Sequence, residues 1–99
     1  MSERPMPAKT VHPHISREPS ICSGRPCIEG TRVRVVDILA LHDQGLSAEQ
    51  IVREFTSLSG PAEVYAALLY YHDHKGEIEA DLREDAALAE QYERKHRGR

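Results

Sequence analysis

The chain has no tryptophan and one phenylalanine among its 99 residues, so any core must be built largely from Val, Ile, Leu and Ala. No apolar run approaches the roughly 20 residues that cross a bilayer. Met1–Thr10 lacks the apolar stretch of a signal peptide, which makes the cytoplasm the expected location. There Cys22 and Cys27 would stay reduced, and two cysteines are too few for a disulfide scaffold. Neither GxGxxG nor GxxxxGK is present, so no phosphate-cradling loop is expected. Asp37, Asp43, Glu49, Glu54 and Glu63 follow no spacing that pairs carboxylates for metal-assisted hydrolysis. Cys22 and Cys27 could begin a zinc site with His12, His14, His72 or His74, but the spacing suits neither a finger nor a helical pair. A small buried Cys27 and an incidental Cys22 are the expectation. The two histidines at 72 and 74 point to different faces and are expected on the surface, near a helix C-terminus that favours positive charge. No enzyme, no metal and no cofactor is expected.

What is present suits one small soluble domain, with 39% apolar and 29% charged residues. A chain this short buries a modest share of its surface, so a partner subunit would help to stabilise it. The net charge of −3 is unevenly spread. Residues 1–35 carry six Lys/Arg against three Asp/Glu, residues 36–75 two against six, and residues 76–99 five against seven. The basic first third could meet phosphates or an acidic partner, and the acidic middle could not.

Met1–Thr10, with Pro5 and Pro7 and no periodicity, reads as an unstructured leader. His14–Arg17 is a short extended segment stopped by Pro19, and Arg32–Val35 alternates as a half-buried strand. Turns at Ser23–Pro26 and Glu29–Thr31 separate them, with Gly24 and Gly30 free to take positive φ. Three helices follow. Val35, Ile38, Leu39 and His42 form the first stripe, which Gly45 stops. Ser47 and Gln50 make a capping box for the second, with Ala48, Ile51, Val52 and Phe55 inward. Pro61 opens the third at its first helical position, Val64, Ala67, Leu68 and Tyr71 face the core, and Gly76 ends it. Tyr65 and Leu69, beside Ala62 and Ala66, give this helix a second apolar face. Either the strand segment covers that face or a second copy does, and a homodimer through Tyr65 and Leu69 is expected.

Glu77–Lys95 carries a thin apolar seam of Ile78, Leu82, Ala86, Ala89 and Tyr92, too polar to be stable as an isolated helix. It is expected to serve as a partner-binding arm or to pack back on the bundle. The expected fold is therefore mainly α. It has a leader (1–10), a short N-terminal β element with a three-helix bundle (11–76) and a C-terminal helix or arm (77–99). Ser47–Tyr71 has the spacing of a helix-turn-helix. Its second helix opens with Ser59, Gly60, Pro61, Ala62 and Glu63, none of which commonly reads base edges. Any DNA contact would then fall to phosphates met by Arg25, Arg32 and Arg34, with Ser59 at the helix start.

The block Gly24-Arg25-Pro26-Cys27-Ile28-Glu29-Gly30-Thr31-Arg32-Val33-Arg34-Val35 resembles the GxPxIxGTRxxV signature of the domain-of-unknown-function family 433, grouped with VapB-type antitoxins. The resemblance continues through Ile38-Leu39, Gly45-Leu46-Ser47, Ile51, Leu58-Ser59, Val64 and Ala67-Leu68-Tyr70, over roughly residues 12–75. Phe55-Thr56-Ser57-Leu58-Ser59 departs mildly from the family's YPxLT. The resemblance implies a homeodomain-like three-helix unit and the antitoxin role in a type II toxin–antitoxin module. Its implied partners are a small PIN-like ribonuclease toxin and operator DNA, and the alternative is a stand-alone protein-interaction or DNA-binding module. In that setting Ile78, Leu82, Ala89 and Tyr92 would lie in a groove of the toxin. Thr31 would brace the turn at Gly30, Arg32 would anchor a carboxylate or carbonyl of the bundle, and Arg25 and Arg34 would be freer to meet a partner.

Overall fold

Three short strands come first: β1 (Ala8–Lys9), β2 (Ile15–Arg17) and β3 (Cys27–Ile28), in a computed structural model that describes residues 8–9 and 12–97. They form one antiparallel sheet in the order β1-β2-β3, with Ala8 opposite Arg17 and Ile15 opposite Ile28. Strands this short are marginal by themselves. Burial of Ile15 and Ile28 in the common core holds them. Ala8–Lys9 was expected within an unstructured leader and is instead paired with β2, which supplies the hydrogen bonds. Residues 1–7 and 10–11 lie outside the described residues.

Arg32–Val35 does not form the strand its alternation predicts. Arg34 makes only an isolated bridge to Cys27, and Val35 already begins a helix. The inward and outward alternation survives without the strand: Val33 and Val35 are buried, Arg34 is half-buried and Arg32 is exposed. A tight loop sets this geometry. Gly30 takes φ of 80°, open to glycine at no steric cost, and Ile28 N–H donates to the Val33 carbonyl at 2.8 Å. The Thr31 hydroxyl donates to the Ile28 carbonyl at 2.9 Å and accepts from Val33 N–H at 3.0 Å. Thr31→Val keeps the shape and removes both bonds. It is expected to cost about 1–2 kcal/mol, read as a lower denaturant midpoint at unchanged slope.

The helices are α1 (Val35–Asp43), α2 (Ala48–Glu54), α3 (Pro61–Asp73) and α4 (Lys75–Arg97). Their ends follow local chemistry. Gly45, with φ of 98°, lies just past α1. Ser47 Oγ accepts from Gln50 N–H at 3.1 Å while Gln50 Oε1 accepts from Ser47 N–H at 2.8 Å. Pro61 takes the first position of α3. The core joins Ile15, Ile28, Val35, Ile38, Ile51, Val64, Tyr70 and Ile78, among others. Leu68 and Tyr71, expected inside, are only partly buried, and Tyr70 takes the inner position on α3. His42 is exposed.

Gly76 does not end the third helix. The break falls at His74, the single non-helical residue between α3 and α4, and Gly76 lies in the first turn of α4. The His74 ring stacks on Tyr70 at 4.1 Å, with Nδ1 3.2 Å from the Tyr70 carbonyl. His74 is therefore half-buried at the bend, not a surface residue, while His72 is exposed as expected. Tyr70 Oη donates to Glu77 Oε1 at 3.2 Å, and Arg17 of β2 pairs with the same carboxylate. These contacts tie the start of α4 to the sheet. Among the described residues no helix is long and apolar enough to cross a membrane.

Candidate partner-binding surface

Pairing across the loop brings Arg25 and Arg34 to one edge of the body. Cys27 bridges Arg34, and Val35 N–H donates to the Pro26 carbonyl at 2.9 Å, so the two ends of the GTR block lie side by side. Arg34 sits just before α1 and holds Asp37 twice, Nη2 to Oδ1 at 2.8 Å and Nε to Oδ2 at 3.2 Å. Both arginines then reach α4. Arg25 Nη1 donates to Asp85 Oδ1 at 2.9 Å and Arg34 Nη2 to Asp85 Oδ2 at 3.0 Å. Arg25 Nη2 also meets Glu84 Oε1 at 2.5 Å, and its Nε lies 3.6 Å from Asp81 Oδ1.

The electrostatics follow from these contacts. Hydrogen bonding to Asp37 raises Arg34 further above its already high value, and hydrogen bonding to Asp85 raises Arg25. Burial alone would raise the Asp85 carboxyl, but the hydrogen bonds from Arg25 and Arg34 outweigh it and hold it below its ordinary value. Arg25 is only 17% exposed. The expectation that Arg25 and Arg34 are free for a partner is thus reversed, because the carboxylates of α4 already neutralise them. Arg32, expected to anchor the bundle, is the exposed one. The groups missed were Asp81, Glu84 and Asp85. The opposite charges of the first third and the last helix were the available signal.

Beyond this clamp α4 leaves the body. Ile78 is fully buried in the core and Leu82, partly buried, packs against it. The expectation that these two lie in a partner's groove is therefore corrected: both serve the chain's own core. The helix packs back on the bundle through its first half. Every residue from Ala86 to His96 is exposed. Ala89 is among them, and Leu88 at 57% and Tyr92 at 64% exposure stand one turn apart. Leu88 is a residue the seam reading overlooked. Leu88 and Tyr92 share an open groove with Gln91 and Lys95, and the Tyr92 ring stacks on His96 at 4.0 Å.

The other expected sites fall elsewhere. Tyr65 and Leu69 remain 59% and 53% exposed on α3, since the sheet covers a different side of that helix. At the start of α3 the backbone amides are occupied: Glu63 Oε1 accepts from Ser59 N–H at 2.6 Å and from Gly60 N–H at 3.3 Å. A phosphate approaching Ser59 would have to displace that carboxylate. His12 is buried, with Nε2 3.1 Å from Asp73 Oδ2 and its ring edge-on to Tyr70. Among the described residues no group of three or more His, Cys, Asp or Glu side chains could hold a metal ion. Burial, with a hydrogen bond to Cys22, pushes the Cys27 thiol up to about 12, which keeps it protonated and unreactive at neutral pH.

A family model described as "Protein of unknown function (DUF433)" matches residues 15–71, more than half of the chain. Among solved structures, the chain is similar to a crystal structure of a DUF433 member protein from Anabaena variabilis ATCC 29413. The two are 24% identical with a TM-score of 0.64, over 71% of this chain and 68% of that one. That likeness shows the fold. No curated protein matches.

Proposed function

Since the chain belongs to the DUF433 family, whose function is unknown, we propose that it is the non-catalytic, antitoxin-like subunit of a two-component type II module in the cytoplasm. In this reading the free half of α4 binds and blocks a small PIN-like ribonuclease. The observation that carries it is a helix anchored at its root by Ile78 and by the arginine clamp, with Leu88 and Tyr92 left open past the edge of the body. An amphipathic helix held in this way is suited to lie in an apolar groove. Glu90 and Glu93 on its exposed half complement the basic surface expected of an enzyme that binds RNA.

A protein partner is favoured over stand-alone DNA binding by the same geometry. Arg25 and Arg34 already face carboxylates, and Glu63 fills the start of α3. Operator DNA would have to be met by other cations, such as the exposed Arg32 and Arg53. The test is deletion of residues 88–99, which spares Ile78, Leu82 and the three clamping carboxylates. The shortened protein is expected to melt within about 2 °C of the full chain. It should also lose inhibition of a small PIN-like ribonuclease that the full chain inhibits, by about 100-fold or more. Full inhibition by the shortened protein would refute the reading.

A further inference from the structure

From the clamp into its open half, α4 carries a pattern that is complementary to itself. Its acidic members Asp81 and Asp85 are half-buried against Arg25 and Arg34, and Leu88, Tyr92 and Lys95 are exposed. Asp81, Asp85, Leu88, Tyr92 and Lys95 follow one another at spacings of four, three, four and three residues. That is the heptad period of a helix-pairing seam. Along it the charge runs from acidic through apolar to basic. Two copies laid antiparallel would therefore match acid to base at both ends. We infer that the free protein is a homodimer in which the projecting halves of α4 pair antiparallel, Leu88 of each copy against Tyr92 of the other and Lys95 against Asp85. The inference takes the arm reading above as its premise. Self-pairing is how the arm keeps Leu88 and Tyr92 from water before a ribonuclease takes them.

The clamp supplies an independent reason for this register. Arg25 and Arg34 face four carboxylates, Asp37, Asp81, Glu84 and Asp85, so the cluster keeps two excess negative charges. It borders an open groove that Leu88 also lines. In the antiparallel register Lys95 and Arg94 of the second copy arrive at that groove, where their charge offsets the excess. A parallel arrangement would set acid against acid and base against base. In this register Ile78 of the two copies would lie roughly 36 Å apart along the helix axis, at 1.5 Å per residue, which puts the two bodies at opposite ends of the pair. Tyr65 and Leu69 on α3 have no comparable charge pattern beside them to name an occupant.

The interface is small, so the mass of the full chain should be followed by sedimentation from about 5 to about 500 µM, where weak association is read. A concentration-dependent shift from monomer to dimer is expected. Leu88→Glu should abolish the dimer, Lys95→Glu should weaken it about tenfold at low salt, and Leu69→Glu should leave it unchanged. All three positions are exposed, and circular dichroism checks that each variant is folded. For orientation, chains carrying Leu88→Cys and Tyr92→Cys are mixed under mild oxidation. They should cross-link to each other faster than either does to itself. A monomer across the whole range overturns the inference. So does a dimer lost with Leu69→Glu but kept with Leu88→Glu, which puts the interface on α3. Preferred cross-linking of the Leu88→Cys chain to itself indicates a parallel pair and overturns the register. All these readouts use the free protein, so their failure is distinct from failure of the arm reading, which is read on the ribonuclease.

Discussion

Ile78→Ala is expected to lower the stability of the protein by about 3 kcal/mol, and its melting temperature by about 15 °C. Ile78 lies at the root of α4 with no exposed surface and belongs to the same core as Val64 and Tyr70. Truncating it removes the apolar contact that seats α4 and leaves a cavity that its neighbours fill only in part. Gln91→Ala, on the exposed half of the same helix, should change stability by less than about 0.5 kcal/mol. Thermal melts of the two variants decide the point. Equal melting temperatures would mean that the root of α4 is not part of the core. The contrast also fixes how the arm must be tested. A cut after Gly76 removes Ile78 with the arm, whereas a cut after Ala87 removes the arm alone.

Asp85→Asn tests the clamp, and its effect is expected to depend on pH. One carboxylate holds two guanidinium groups, and losing its charge should cost about 1–2 kcal/mol at pH 7, allowing for partial exposure of the site. The sign follows from the direction of the shift. The folded carboxyl lies below its ordinary value, so the stabilisation is complete above the unfolded value near about 4. It is lost as the pH falls through the lower folded value. Arg25 and Arg34 stay charged throughout and add no pH dependence. Melting temperatures of the parent and Asp85→Asn should therefore differ by a constant amount from neutral pH down to about 5, then converge as the carboxyl protonates. A difference that persists into strong acid would mean that the charge of Asp85 is not what stabilises the clamp.

Features whose partners lie within about four residues are legible in the chain before it folds. Ser47 with Gln50, Gly45 past α1 and Pro61 opening α3 are capping chemistry, and a cap needs only its own turn. Thr31 bracing the loop at Gly30 is legible for the same reason, since both of its bonds are to residues two or three positions away. The remaining features depend on contacts between segments far apart in the chain. Tyr70 and not Tyr71 faces the core because the sheet and α4 close over that side of α3. The bend falls at His74 and not at Gly76 because stacking on Tyr70 fixes the ring there. Arg25 and Arg34 are bound and not free because α4 returns across the body and presents Asp85 to them from 60 and 51 residues away. Periodicity shows that α4 has an apolar seam, but not how far along it the body reaches. Packing ends the contact after Asp85, and that leaves Leu88 and Tyr92 as the open surface.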